Sequence, residues 1–188
     1  MTSDDILALF THSDGYRCAR WGRPIVPVVF GVEDETLALV KGGIEAVVAG
    51  AGHRMAEQDP ELGANLMIFF FAEWAELRTV PDLERMVPDL DALSGGETAR
   101  LFRFDAAGAI RMAALFVRMG GPLAALPPEA LVLEQAARMM LTWAGEPPML
   151  EDGALRPEIA AVLRAAYDPV MPARGDDPSH ALRLAARA

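Results

Sequence analysis

Side chains able to act as nucleophiles, bases or metal ligands are few in this chain and widely scattered. The three histidines, His12, His53 and His180, and the single cysteine, Cys18, fall at no shared ligand spacing, whereas a metal site gathers such residues at short, fixed intervals. Cys18 would act as a nucleophile only as a thiolate beside a positioned base. Arg17 and Arg20 favour the thiolate, but no Cys-His signature accompanies them, so a packed thiol is expected. Arg17, Arg20 and Arg23 surround Tyr16 and Trp21, and such a set of guanidinium groups suits a carboxylate or phosphate ligand. Pairing with the chain's own carboxylates is the preferred alternative, since residues 33–97 hold fourteen acids against four bases.

A second group of candidates lies further along. Glu134, Gln135 and Arg138 share one helical stretch, and Tyr167 closes a later one. Glu134 and Arg138 have opposite charges four residues apart, which reads as a surface ion pair contributing about 0.2–0.5 kcal/mol. No Gly-x-Gly-x-x-Gly, Walker-type loop or Gly-x-Ser-x-Gly elbow occurs, and Gly42-Gly43 and Gly95-Gly96 lack the setting of a phosphate loop. Asp4-Asp5 and Asp176-Asp177 are too isolated to read as metal sites, and the ten methionines fit adaptable core packing. His53 follows a helix end, where a positive charge is favourable.

The elements that must position these residues follow from periodicity. Pro24–Phe30 is β-branched and apolar but contains prolines, which predicts a strand near an edge. Leu37, Val40, Ile44, Val47, Val48 and Ala51 recur at helical spacing behind Glu33, Asp34 and Glu35, which suit the positive end of a helix. Gly42-Gly43 inside that helix imply a kink or a close neighbouring backbone. Asn65–Phe71 is continuously apolar and predicts the central strand. Short helices over 72–77 and 82–93, a hairpin over 99–104 and 109–119, a long apolar helix from Pro127 to about Trp143, and helices over 156–167 and 178–187 complete the expectation. The chain reads as one α+β domain over 1–188: a small mixed sheet with a hairpin, packed against the apolar helix. Residues 1–20 form an arm or short helix, and 145–188 hold the C-terminal helices.

Composition bounds the function. A chain of 188 residues with 52% hydrophobic residues buries roughly 70% of its unfolded surface, enough to fold without disulfide or metal. The net charge of −10 argues against nonspecific binding to nucleic acid or anionic membranes. All of it belongs to residues 33–97, because thirteen acids and thirteen bases balance outside that window. Solvated helix faces are the preferred reading of the acids over a docking surface for a basic partner. The apolar run Ile6–Phe10 is too short for a secretory signal, and the expected setting is cytoplasmic.

Four stretches carry a resemblance. Arg20-Trp21-Gly-Arg-Pro-Ile-Val-Pro-Val, Asn65-Leu-Met-Ile-Phe-Phe, Leu133-Glu134-Gln135-Ala136-Ala137 and Tyr167-Asp168-Pro169-Val-Met-Pro-Ala-Arg-Gly175 together resemble a bacterial family of unknown function whose domain looks like a minimal zinc metallopeptidase, a zincin. The resemblance covers nearly the whole chain and implies a zincin-like fold with a metal-binding helix. In such a helix two histidines four apart hold zinc and the intervening glutamate activates water. Aligned this way, the glutamate falls on Glu134, while the ligand positions become Leu133 and Ala137. Neither side chain can bind zinc, so no cofactor is expected.

The leading expectation is therefore a non-catalytic zincin-like domain that binds a small ligand or peptide. Its candidate cleft residues are Glu134, Gln135, Arg138, Tyr167, Arg20 and Trp21. The alternatives are a metal-independent hydrolase using Glu134 with Arg138 or Tyr167, or a module whose acidic region docks a basic protein.

Overall fold

A computed structural model describes all residues from Met1 to Ala188. Its centre is a four-stranded sheet of β1 (Pro27–Phe30), β2 (Leu66–Phe71), β3 (Thr98–Phe104) and β4 (Ile110–Arg118), in the spatial order β1-β2-β4-β3. β1, β2 and β4 run parallel, and β3 pairs antiparallel with β4 at the far edge. Five longer helices accompany it: α1 (Ser3–Phe10), α2 (Asp34–Gly50), α3 (Pro128–Met140), α4 (Pro157–Ala166) and α5 (Ser179–Ala185). The α+β class is as expected, and no helix is long and apolar enough to cross a membrane.

Side-chain alternation along the strands sorts the core into two layers. Leu66 and Ile68 of β2, with Ala113, Leu115 and Val117 of β4, face α2 and α3 in the main cluster. Phe69, Phe71, Ala114 and Phe116 point the other way, into a smaller cluster with Leu77, Leu83, Val87 and Leu90. Leu77, Leu83 and Leu90 belong to a 3-10 turn (Trp74–Thr79) and two single-turn helices (Leu83–Met86, Leu90–Leu93), with Val87 just after the first of these helices, close to the short helices expected there. The continuous apolar run of β2 thus reflects a strand covered on both faces.

α2 starts behind its acidic first turn as expected and runs unbroken through its glycines. A Cβ on Gly43 would collide with Val132, so this glycine lets α2 and α3 approach closely. The expected long helix is shorter, thirteen residues, and stops at Met140 rather than near Trp143. Leu141 turns extended and bridges Arg20, and the Thr142 N–H donates to the Ala19 carbonyl at 3.2 Å. The chain leaves the helix to pair with the N-terminal segment, a choice invisible to helical periodicity.

The two termini close over that junction. α1 begins with a capping box, Thr2 and Asp5 bonding each other's backbone, and packs on α5. Cys18–Ala19 pairs antiparallel with Arg174–Gly175. Tyr16 and His180 share a hydrogen bond of 2.8 Å, and Cys18 lies fully buried beside them.

Candidate functional site

Trp21 and Tyr167, read from the sequence as cleft residues, instead finish α3. The last four carbonyls of a helix have no partner within it, and three of those of α3 are met by aromatic side chains. Trp143 Nε1 donates to Ala137 O at 3.1 Å, Trp21 Nε1 to Met139 O at 2.8 Å, and the Tyr167 hydroxyl to Met140 O at 2.8 Å. The Tyr167 oxygen also accepts the Trp21 backbone N–H at 3.3 Å. Trp21 is fully buried and Tyr167 nearly so, and burial pushes the Tyr167 phenol well above its ordinary value.

Arg20 lies over the Tyr167 ring, 5.5 Å from its centre, and donates to the carbonyls of Trp21 and Met171. Of the three N-terminal arginines only Arg23 meets carboxylates of the acidic window, Asp59 at 3.2 Å and Glu61 at 2.9 Å. Arg17 pairs with Asp14. They do not converge on one anion site.

From the sequence, Glu134 and Arg138 read as a surface ion pair beside Gln135, all three as candidate cleft residues. The structure reverses much of this: Gln135 and Arg138 are buried, whereas Leu133 is only partly so. The cause is tertiary. Arg100 on edge strand β3 reaches the same helix face, donating from Nη1 to Gln135 Oε1 at 3.1 Å and pairing with Glu146. Arg138 meets Glu134 at 2.7 Å and Glu146 at 2.7 Å, and donates to the Pro147 carbonyl. Burial holds the Arg100 guanidinium below its ordinary pKa, opposed by the charge of Glu146. Two arginines and two glutamates thus balance in one cluster, and Glu134 is a member of it rather than a free carboxylate over a cleft.

The remaining titratable groups are occupied in comparable ways. Burial raises the Cys18 thiol well above its ordinary value, consistent with a packed thiol. His53 donates from Nε2 to the Arg23 carbonyl at 2.9 Å, and burial lowers its pKa. Its ring N–H is thus taken by a backbone carbonyl, and burial works against the positive charge expected to be favourable at this helix end. Burial alone would raise the buried Asp59, but hydrogen bonds from the Glu61 and Leu62 N–H groups, the Asn65 amide and Arg23 outweigh it and hold the carboxyl well below the usual range. Asn65 is fully engaged, accepting from Val26 N–H and donating to Pro24 O and Asp59.

Open space occurs elsewhere. A cleft of about 520 Å³ lies at the carboxyl ends of β1 and β2, floored by Leu39, Phe70, Met119 and Leu131, with Glu33 and Glu35 at its mouth. A polar cleft of about 580 Å³ lies over Arg23, Asp59 and Glu61. Glu134 lines neither. In the sequence, Glu33 and Glu35 read as partners of the helix dipole and as part of a solvated acidic face; Gly31, directly after an apolar strand, is the available signal for the first cleft.

A zinc ion does not fit this chain's helix. Leu133 and Ala137 carry no donor atom, Ala137 is fully buried, and no group of three His, Cys, Asp or Glu side chains is gathered elsewhere to hold one. Compared with family models, curated proteins and solved structures, the chain matches none.

Proposed function

We propose that the protein is a non-catalytic binding module on a zincin-like scaffold, whose would-be zinc face has become an internal joint. The observation that carries this reading is Ala137. It occupies the second ligand position, is fully buried, and its carbonyl is held by Trp143 in the last turn of α3. The four stretches of resemblance supply the scaffold, and the mixed sheet with one antiparallel edge strand is compatible with it. Glu134, the would-be catalytic base, contributes to the charge balance around Arg138 instead. Binding of a small ligand or peptide then falls to surfaces away from this face.

The test is metal content and hydrolysis measured together on protein purified without chelator. The expected result is far less than one zinc per chain and no peptide hydrolysis. Stoichiometric zinc, or hydrolysis abolished in Glu134→Gln, would overturn the reading.

A further inference from the structure

The cleft over the carboxyl ends of β1 and β2 sits where the chain changes faces. The connection leaving β1 enters α2, and that leaving β4 enters α3, both on the main-cluster face of the sheet. The connection leaving β2 goes to the opposite face, into the short helices of the smaller cluster. β2 thus ends between two neighbours whose continuations diverge from its own. In open parallel sheets this divergence leaves a crevice outside the strand ends, and ligands bind there. Gly31 makes the crevice possible: its φ is 81° and a Cβ there would collide with the Phe70 carbonyl oxygen.

The lining specifies the ligand's chemistry. Most of it is apolar, and its volume of about 520 Å³ suits one small molecule, since ligand pockets span roughly 300–1,000 Å³. The only charged side chains lining it are Glu33 and Glu35, and no lining residue is basic. Neither has an ion-pair partner, nor has Asp34 between them, although six of the fourteen acids in the same window are paired. At its inner end the groove shares Val40, Phe70, Leu131 and Val132 with a narrow void of about 20 Å³ beneath α2 and α3. Gln135 is the void's one polar neighbour and is already engaged by Arg100, so the void lacks the two to four partners a water needs. An apolar floor continuing inward from an acidic mouth fits a molecule with an apolar body and a cationic head.

We infer that this groove binds a small primary amine with an alkyl or aryl tail, its ammonium between Glu33 and Glu35 and its tail on Phe70, Leu126 and Leu131. The assignment stands independently of the zincin-like reading, because it uses no residue of the α3 joint.

Calorimetric titration at low salt with n-octylamine, n-octanoate and 1-octanol tests it. Octylamine should bind one per chain and octanoate at least tenfold more weakly. Combining Glu33→Gln with Glu35→Gln should weaken octylamine about five- to tenfold and leave octanol unchanged. Thr36→Trp, which fills the groove from an exposed helical position, should abolish binding of octylamine and octanol, with the circular dichroism spectrum unchanged. Octanoate binding as tightly as octylamine, octylamine binding that survives Thr36→Trp, or no saturable binding up to millimolar octylamine would each overturn the inference. Zinc content bears on the proposed function alone, so the two can fail separately.

Discussion

The two ends of α3 meet opposite fates. At its C-terminal end Arg100, Arg138, Glu134 and Glu146 neutralise one another, and Trp21, Trp143 and Tyr167 hold the last carbonyls. At its N-terminal end Pro128, Leu131 and Val132 border an open apolar groove whose charges are all of one sign. Same-helix residues thus serve a joint in one half and a surface in the other. Binding is therefore to be sought at the open end, because polar groups that have found partners are structural, while unmatched charge beside exposed apolar area is left for an outside partner.

If the closed end is a joint, breaking it must cost stability. Trp21→Ala should destabilise by about 3–5 kcal/mol, as large aromatic truncations in cores do. Trp21→Phe, which keeps most of the packing but leaves Met139 O without its donor, should cost about 1–3 kcal/mol. Urea unfolding measures both, and a loss under 1 kcal/mol for Trp21→Ala would place Trp21 outside the joint.

The joint also has a pH signature. His180 is buried against Tyr16, and burial lowers its pKa from 6.5 to about 4, with Arg183 adding to the shift and Asp176 opposing it. The unfolded chain takes up the proton first as pH falls below about 6.5, so stability is complete above that pH and drains away down to about pH 4, by up to about 3 kcal/mol. His53, also lowered by burial, adds a contribution of the same sign. Asp59 acts in a different window, its contribution present above pH 3.8 and lost only below it. Melting temperature against pH should therefore flatten between pH 4 and 6.5 in His180→Phe. An unchanged slope would remove His180 from this role.

Arg138→Met tests the ion cluster. The arginine side chain is 6% exposed, but Glu134 and Glu146 are 29% and 61% exposed. Water can therefore rescue the orphaned carboxylates, and the expected cost is about 1–3 kcal/mol rather than the 3–5 of a fully buried pair. Adding Glu134→Leu should recover part of it. At the open end the effect should be smallest: Glu33→Gln with Glu35→Gln should change stability by less than about 1 kcal/mol, although it weakens octylamine binding.

Local pattern made much of the fold legible. β2, α2, the β3–β4 hairpin and the terminal helices announce themselves because their periodicity lies within a dozen residues. The partners of α3 do not. A helical wheel places Arg138 and Gln135 on a polar stripe, but edge strand β3 brings Arg100 onto that stripe and buries it. Arg20, Trp21 and Tyr167 look like site residues because arginine and aromatics so often are; their carbonyl acceptors at Met139, Met140 and Met171 are backbone atoms, which no sequence pattern displays. The groove escaped for the converse reason. Its floor comes from α2, β2 and the 119–132 segment, each apolar for its own core reasons, and its chemistry exists only where the strands end.

Thiol accessibility compares the two ends most directly. The native Cys18 is buried and should not react with an aromatic disulfide reagent in the folded protein, so the wild type is its own blank. Leu126, at the groove rim, is 42% exposed, and Ala137 is fully buried. Leu126→Cys should react at nearly the rate of a free thiol, while Ala137→Cys should react only under denaturing conditions. A folded Ala137→Cys protein that labels as fast as Leu126→Cys would mean that the helix face is an open cleft, contradicting the joint on which the account rests.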